Sequence, residues 1–185
     1  MGDGSPPIPE LLTERLRLRA LAMTDAPSLH LAYGNANSMR FWDTQASQNL
    51  AETESRISRS VSADTEWHAA WGVLERSDGQ FVGMVNYHAR QSWSRRLAVG
   101  WILVPQYERR GYMQEAMRAL LSHCFDTLDT HRIEAEIEPD NARSARLAER
   151  LGFQREGLLR DRLNVGGKPR SCWMYSLLYP EWKRP

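Results

Sequence analysis

Residues 100–117 read Gly-Trp-Ile-Leu-Val-Pro-Gln-Tyr-Glu-Arg-Arg-Gly-Tyr-Met-Gln-Glu-Ala-Met. A short apolar stretch stops at Pro105, a basic turn runs through Arg109 and Arg110 to Gly111, and a helical periodicity begins at once. That order predicts strand, anion-binding loop and helix. A glycine frees the backbone just before a helix start, where unpaired N–H groups and the helix dipole together favour a phosphate. The run lacks the Lys-Ser/Thr pair of a P-loop and the triple glycine of a dinucleotide fold. An ordinary strand-to-helix turn is the competing reading of the same residues.

Whole-chain numbers bound what such a loop can serve. The 185 residues suffice for one domain with a sizeable core, and residues 10–185 are read as that domain. Residues 1–9, rich in Gly, Pro and Ser, are expected to be disordered. A net charge of +1 gives no global pull toward nucleic acid or an anionic membrane. The pairs Arg95-Arg96 and Arg109-Arg110 read instead as contacts for a small anion, or as solvated surface. No apolar run is long enough to span a bilayer and no charged-then-apolar leader opens the chain, so a cytoplasmic protein is expected. Cys124 falls on a helical apolar stripe and Cys172 in an apolar strand, which predicts buried, inert thiols. The five histidines are scattered and no Cys/His cluster has zinc spacing, so no metal is expected.

The elements that position the loop follow from periodicity. Arg15-Leu-Arg-Leu-Arg19 alternates as a half-buried strand with Leu16 and Leu18 inward. Thr24 or Asp25 is expected to cap a helix ending near Gly34, and a second helix spans Leu50 to Val61. Between them, Met39-Arg-Phe-Trp-Asp43 is an aromatic connection. Ala69 to Glu75 and Phe81 to His88 form a hairpin about Ser77-Asp-Gly-Gln80, and Leu97 to Val104 is a third strand. After Gly111, the residues Met113, Ala116, Met117, Leu120, Leu121, Cys124 and Phe125 share one helix face. A strand over Arg132 to Ile137, a helix from Asn141 to Gly152 and two strands about Gly166-Gly167 complete the order β-α-α-β-β-β-α-β-α-β-β. The class is α/β (α+β), a mixed sheet with helices on both faces.

Several stretches together resemble the GNAT superfamily of N-acetyltransferases, in its RimJ/RimL-type branch. They are Thr13-Glu-Arg-Leu-Arg-Leu18, Gly100-Trp-Ile-Leu-Val-Pro105, Arg110-Gly111-Tyr112 with Glu115-Ala116, and His131-Arg-Ile-Glu-Ala135. Most specific is Pro139-Asp-Asn-Ala-Arg-Ser144, continuing to Leu151-Gly-Phe153 and Glu156-Gly157; Tyr175-Ser-Leu-Leu178 closes the series. The resemblance implies a GNAT-like, mostly antiparallel sheet of about seven strands. It also implies acetyl-coenzyme A as co-substrate, with pantetheine pairing along Ile102, Leu103 and Val104. The diphosphate would lie on Arg109, Arg110, Gly111, Tyr112 and Met113, with Asn141 and Ser144 also touching the cofactor. The chain departs from the family loop at Glu108 and Met113, where the family has Gln or Arg and Gly or Ala. Met113 can point into the core, whereas Glu108 would repel a diphosphate unless Arg109 or Arg110 neutralises it.

Acetyl transfer needs a neutral amine, a donor for the developing negative oxygen and a proton for the departing thiolate. The family pattern gives the donor to a main-chain N–H at Leu103 or Val104. It gives the proton to Ser144, whose other reading is a helix-start residue that solvates an amide. The base is not marked: the glutamate that RimL-like relatives carry is absent from Arg160-Asp-Arg-Leu-Asn164, and Ala98-Val99 replace an acid before Gly100. Glu136, Glu138, Asp161, His68 and His88 remain as candidates. An α-amine is easier to deprotonate than a lysine by roughly 3.3 kcal/mol at neutral pH, so a protein N-terminus or a small weakly basic amine is the expected acceptor. Trp42 and His88 are assigned to its site, Trp42 as an aromatic wall. A catalytically weak acyl-coenzyme A sensor is the alternative. No nucleic-acid or membrane partner is expected, and relatives in the family often form homodimers.

Overall fold

The alternation at the start of the chain becomes strand, and both inward leucines, Leu16 and Leu18, are completely buried. A computed structural model describes residues 8–182. Most of the stretch expected to be disordered, residues 1–7, lies outside the described residues. Of its last two positions, Ile8 packs against the core and the Pro9 carbonyl accepts the Trp71 indole N–H at 2.8 Å.

The strands are β1 (Leu11–Leu12), β2 (Leu16–Ala20), β3 (Ala69–Glu75), β4 (Phe81–Gln91), β5 (Arg96–Leu103), β6 (Arg132–Ile137), β7 (Gln154–Val165) and β8 (Lys168–Leu178). They form one sheet in the order β1-β2-β3-β4-β5-β6-β8-β7. Eight strands replace the expected seven or so, because the two-residue β1 is too short for an alternating pattern to announce it. The helices are α1 (Ala26–Tyr33), α2 (Ala36–Met39), α3 (Leu50–Val61), α4 (Tyr112–Asp126) and α5 (Ala142–Leu151). The one-turn α2 sits where a plain connection was expected; Asn35 caps it by accepting from the Asn37 and Ser38 amides. The start of α1 also differs. Asp25 makes no side-chain cap there, because its carboxylate accepts the Ala22 amide and two guanidinium N–H groups of Arg19.

Helices cover both faces. Tyr33 of α1 reaches Met84 of β4, whereas His123 of α4 meets Trp71 of β3 on the opposite face. The seven apolar α4 residues expected to face inward are all buried, as are both cysteines. Asn141 opens α5 by accepting the Ser144 amide, and Gly152 ends it in the left-handed region.

One pairing positions the site. β5 and β6 run parallel, but only Arg96–Ala98 pair with Arg132–Glu134. Beyond Ala98 the two strands part, while β5 stays paired with β4 as far as Leu103 opposite Gly83. A gap therefore opens in the middle of the sheet, and one edge of β5 faces it.

Two consequences are measurable. Leu120 is fully buried between α4 and the sheet, so Leu120→Ala should lower unfolding stability by about 2–5 kcal/mol in urea titrations. The Glu156 carboxylate is held by the Arg132 guanidinium and the Ser176 hydroxyl, which draw its pKa down to about 2. A depressed pKa means that this stabilisation is present above the unfolded value near 4.5 and is lost as pH falls toward 2. The pair is partly exposed, so the effect should be ~1 kcal/mol or less. Glu156→Gln should flatten stability against pH in that window, lowering it by up to that amount at pH 7 and leaving it little altered near pH 2.

Candidate active site

The basic turn after β5 takes two left-handed residues, Arg109 at φ +65° and Gly111 at φ +81°. Alternating handedness of this kind turns successive N–H groups to one side and makes a concave anion seat. No side chain caps α4, whose backbone bonding includes Glu115 N–H to Gly111 O at 3.2 Å. The Tyr112 and Met113 side chains are buried, so these residues can meet an anion only through their amides. The Tyr112 hydroxyl donates to the Glu75 carboxylate on the far side.

Behind the turn lies a lock that the sequence did not reveal. Glu115, in the first turn of α4, accepts the Thr13 hydroxyl at 2.6 Å, the Arg15 amide at 2.8 Å and Arg15 Nε at 2.7 Å. Arg15 Nη1 donates in turn to the Arg110 carbonyl at 3.0 Å, and its guanidinium lies over the Tyr112 ring. The carbonyl is thereby drawn to the inner side of the loop. Thr13 and Arg15 belong to the motif near the N-terminus and Glu115 to the helix motif, so two separated motifs meet in one contact set.

The acid feared for its repulsion is neutralised, by a residue other than those expected. Glu108 pairs with Arg143 of α5 at 2.5 Å. Arg110 lies over the Tyr107 ring, and Arg109 is exposed. Among the described residues neither has an ion-pair partner.

Along β5, the Val104 amide donates to the Val82 carbonyl at 2.9 Å. Val104 is therefore corrected as a candidate oxyanion donor, because its N–H is already engaged by β4. Alternation along a strand turns the Leu103 N–H the other way, toward the gap. Ile102 points its peptide to β4 for the same reason, and its side chain is in the core. Asn141 and Ser144 stand at the start of α5; Ser144 Oγ takes part in none of the hydrogen bonds among the described residues.

On the other side of the sheet, Trp42 lies half-buried with its ring edge-on to Tyr33 at 5.6 Å. Neighbouring Asp43 acts electrostatically on both the Tyr33 hydroxyl and His88. His88 Nδ1 and Asn86 Oδ1 of β4 are buried side-chain atoms without a hydrogen-bond partner among the described residues. Burial pushes the His88 pKa below its usual value, against the opposing pull of Asp43 and Glu136. His68 is lowered further, to about 4, by burial and by His88, and it shares a 2.7 Å hydrogen bond with Ser60. Both imidazoles are neutral at pH 7. The remaining base candidates are engaged or displaced: Glu136 by Arg162, Glu138 by Arg170, and Asp161 in an exposed edge-strand bulge. Asn86 does carry a signal in the sequence, an amide within the apolar run Phe81–Tyr87.

Among the described residues no helix is long and apolar enough to cross a membrane, and no group of His, Cys, Asp and Glu has the geometry of a metal site. An uncharacterized N-acetyltransferase of Bacillus subtilis, YoaA, is 29% identical over 173 residues, which is 93% of this chain and 98% of that one. The [ribosomal protein uS5]-alanine N-acetyltransferase of Escherichia coli is 27% identical over 180 residues, 93% of this chain and 92% of its own. The solved spermidine N-acetyltransferase of Vibrio cholerae, in complex with CoA and spermine, superposes with a TM-score of 0.79 at 21% identity, covering 91% of this chain and 98% of that one. The family model of the GNAT acetyltransferase domain matches residues 15–154, and the chain belongs to that family.

Proposed function

We propose that this acetyltransferase moves the acetyl group of acetyl-coenzyme A to a primary amine, by direct attack of the neutral nitrogen. The observation that carries the reading is the gap between β5 and β6, with the unengaged Leu103 amide on its edge and the doubly left-handed turn at its end. The residues fit such a co-substrate. An extended pantetheine-like arm can pair with the open edge of β5, and a diphosphate can sit on the amides after Gly111.

When bound, acetyl-coenzyme A supplies an activated thioester. The Leu103 N–H then faces the carbonyl oxygen as negative charge develops, a fixed donor of the kind that lowers acyl-transfer barriers most. His88 Nδ1, neutral and without a partner, accepts the proton released as the C–N bond forms. Ser144, at the start of α5, is the hydroxyl that passes a proton to the departing sulfur and regains one from solvent. Asn141 keeps the start of α5 in place, and its amide N–H groups remain as donors. Trp42 closes one side of the acceptor site. The ribosomal alanine specificity of one relative agrees with an α-amine acceptor, which needs only a weak base.

Two variants test this assignment. Gly111→Ala forces a Cβ into the left-handed region, at a cost of about 1 kcal/mol or more. It should weaken acetyl-coenzyme A binding by calorimetry about fivefold or more. Unchanged affinity would remove the loop from the site. His88→Gln should lower kcat/KM about 100-fold, the usual scale for a lost proton acceptor. The wild type should lose activity as pH falls through the depressed His88 pKa, below 6.5. His88→Gln should lack that acid limb and retain only the one set by the acceptor amine; an identical pH profile in the variant would exclude His88 as the base.

A further inference from the structure

We propose that the acceptor is a single primary amine received by Asn86 Oδ1 and His88 Nδ1, and that Arg162 and Arg170 exclude polyamines by neutralising Glu136 and Glu138. The inference rests on the acetyl-transfer reading above and narrows its substrate class.

Register places the groups. His88 lies opposite Ala98, and Ala98 opposite Glu134, so these three share one sheet face. Asn86 lies opposite Gly100 on the same face, and Glu136 follows two residues after Glu134. A Cβ at Gly100 would stand 2.6 Å from Asn86 Oδ1. The absence of that carbon lets the amide lie directly over the β5 backbone, beside the strand whose other edge faces the gap. The hairpin of β7 and β8 bounds this face: Arg170 Nη1 donates to the Arg40 carbonyl at 2.7 Å, and Gln45 packs against Gly166.

Four carboxylates belong to this region, and three are already paired. Glu134 accepts from Arg96 at 3.3 Å and from Arg132 at 2.7 Å. Arg162 grips Glu136 through three contacts of 2.8–3.0 Å. Arg170 holds Glu138 at 2.9 Å. Asp43, exposed at the rim, is the one without an ion pair among the described residues. A polyamine carries further ammonium groups, and each needs an anionic partner when it leaves water. Here the inner carboxylates are occupied by guanidinium groups of the chain itself. A monoamine brings one nitrogen whose N–H groups need partners, and two buried polar atoms of this face, Asn86 Oδ1 and His88 Nδ1, stand without any among the described residues. The face is built for hydrogen bonding to one amine rather than for compensating several charges.

The test compares initial rates with acetyl-coenzyme A for a peptide beginning with alanine, phenylethylamine and spermidine, followed by thiol release. In the wild type, kcat/KM for the better monoamine should exceed that for spermidine at least about tenfold. Arg162→Gln frees Glu136 and should raise the spermidine-to-monoamine ratio about fivefold or more, the scale of one newly available charge near the aqueous limit. The change should come through the spermidine KM, and calorimetry should show tighter spermine binding by that variant. Arg162→Lys keeps the charge and should keep the wild-type ratio. A wild type that prefers spermidine, or a ratio unmoved by Arg162→Gln, would overturn the inference while leaving acetyl transfer standing. No thiol release with any amine would overturn both.

Discussion

The parallel pairing of β5 with β6 stops after three residues, and the site depends on that interruption. A strand edge with unpaired N–H and C=O groups is ordinarily covered or avoided. Here it lies inside the sheet, flanked by α4 and α5, where a second chain cannot reach it but an extended ligand can. The gap is stable because β5 is held along its other edge by β4, as far as Leu103 and on through the Val104 amide. It also divides the labour of successive residues. The peptide that engages β4 at Val104 fixes the strand, and the one before it turns toward the gap.

The loop at the end of the gap is held from behind rather than from the front. Glu115 gathers Thr13 and Arg15, and Arg15 draws the Arg110 carbonyl inward. Backbone amides serve an anion only when neighbouring carbonyls point elsewhere, so this contact set explains how a turn departing from the family pattern keeps its shape. The same economy of charge recurs at Glu108, which Arg143 neutralises across α4 and α5. On the opposite face of the sheet from α4, arginines of β7 and β8 do likewise for Glu136 and Glu138.

Much of this was legible in the residues. The α4 stripe, the Asn141 cap, the inward pair Leu16 and Leu18 and the loop about Gly111 follow from periodicity and capping, which are local. The two-residue β1 and the single turn of α2 carry too few residues for a period to register. Asp25 reads as a helix cap, yet its carboxylate answers to Arg19, a contact set by packing. Val104 could not be told from Leu103 in sequence, since only the partner strand decides which way each peptide turns. The Arg15–Glu115 lock joins residues a hundred positions apart, and no single-chain pattern links them. The burial of His88 was not legible for a similar reason: a histidine reads alike in sequence whether solvated or buried without a partner among the described residues.

Amide hydrogen exchange of the full chain, with and without acetyl-coenzyme A, tests the central claim most directly. Protection should appear at Trp101 and Leu103 on the open edge of β5 and at residues 111–114 in the turn. Val104 should be slow to exchange in both states, because β4 already holds it. Unaltered exchange at Leu103 and at residues 111–114 under saturating acetyl-coenzyme A would contradict the account.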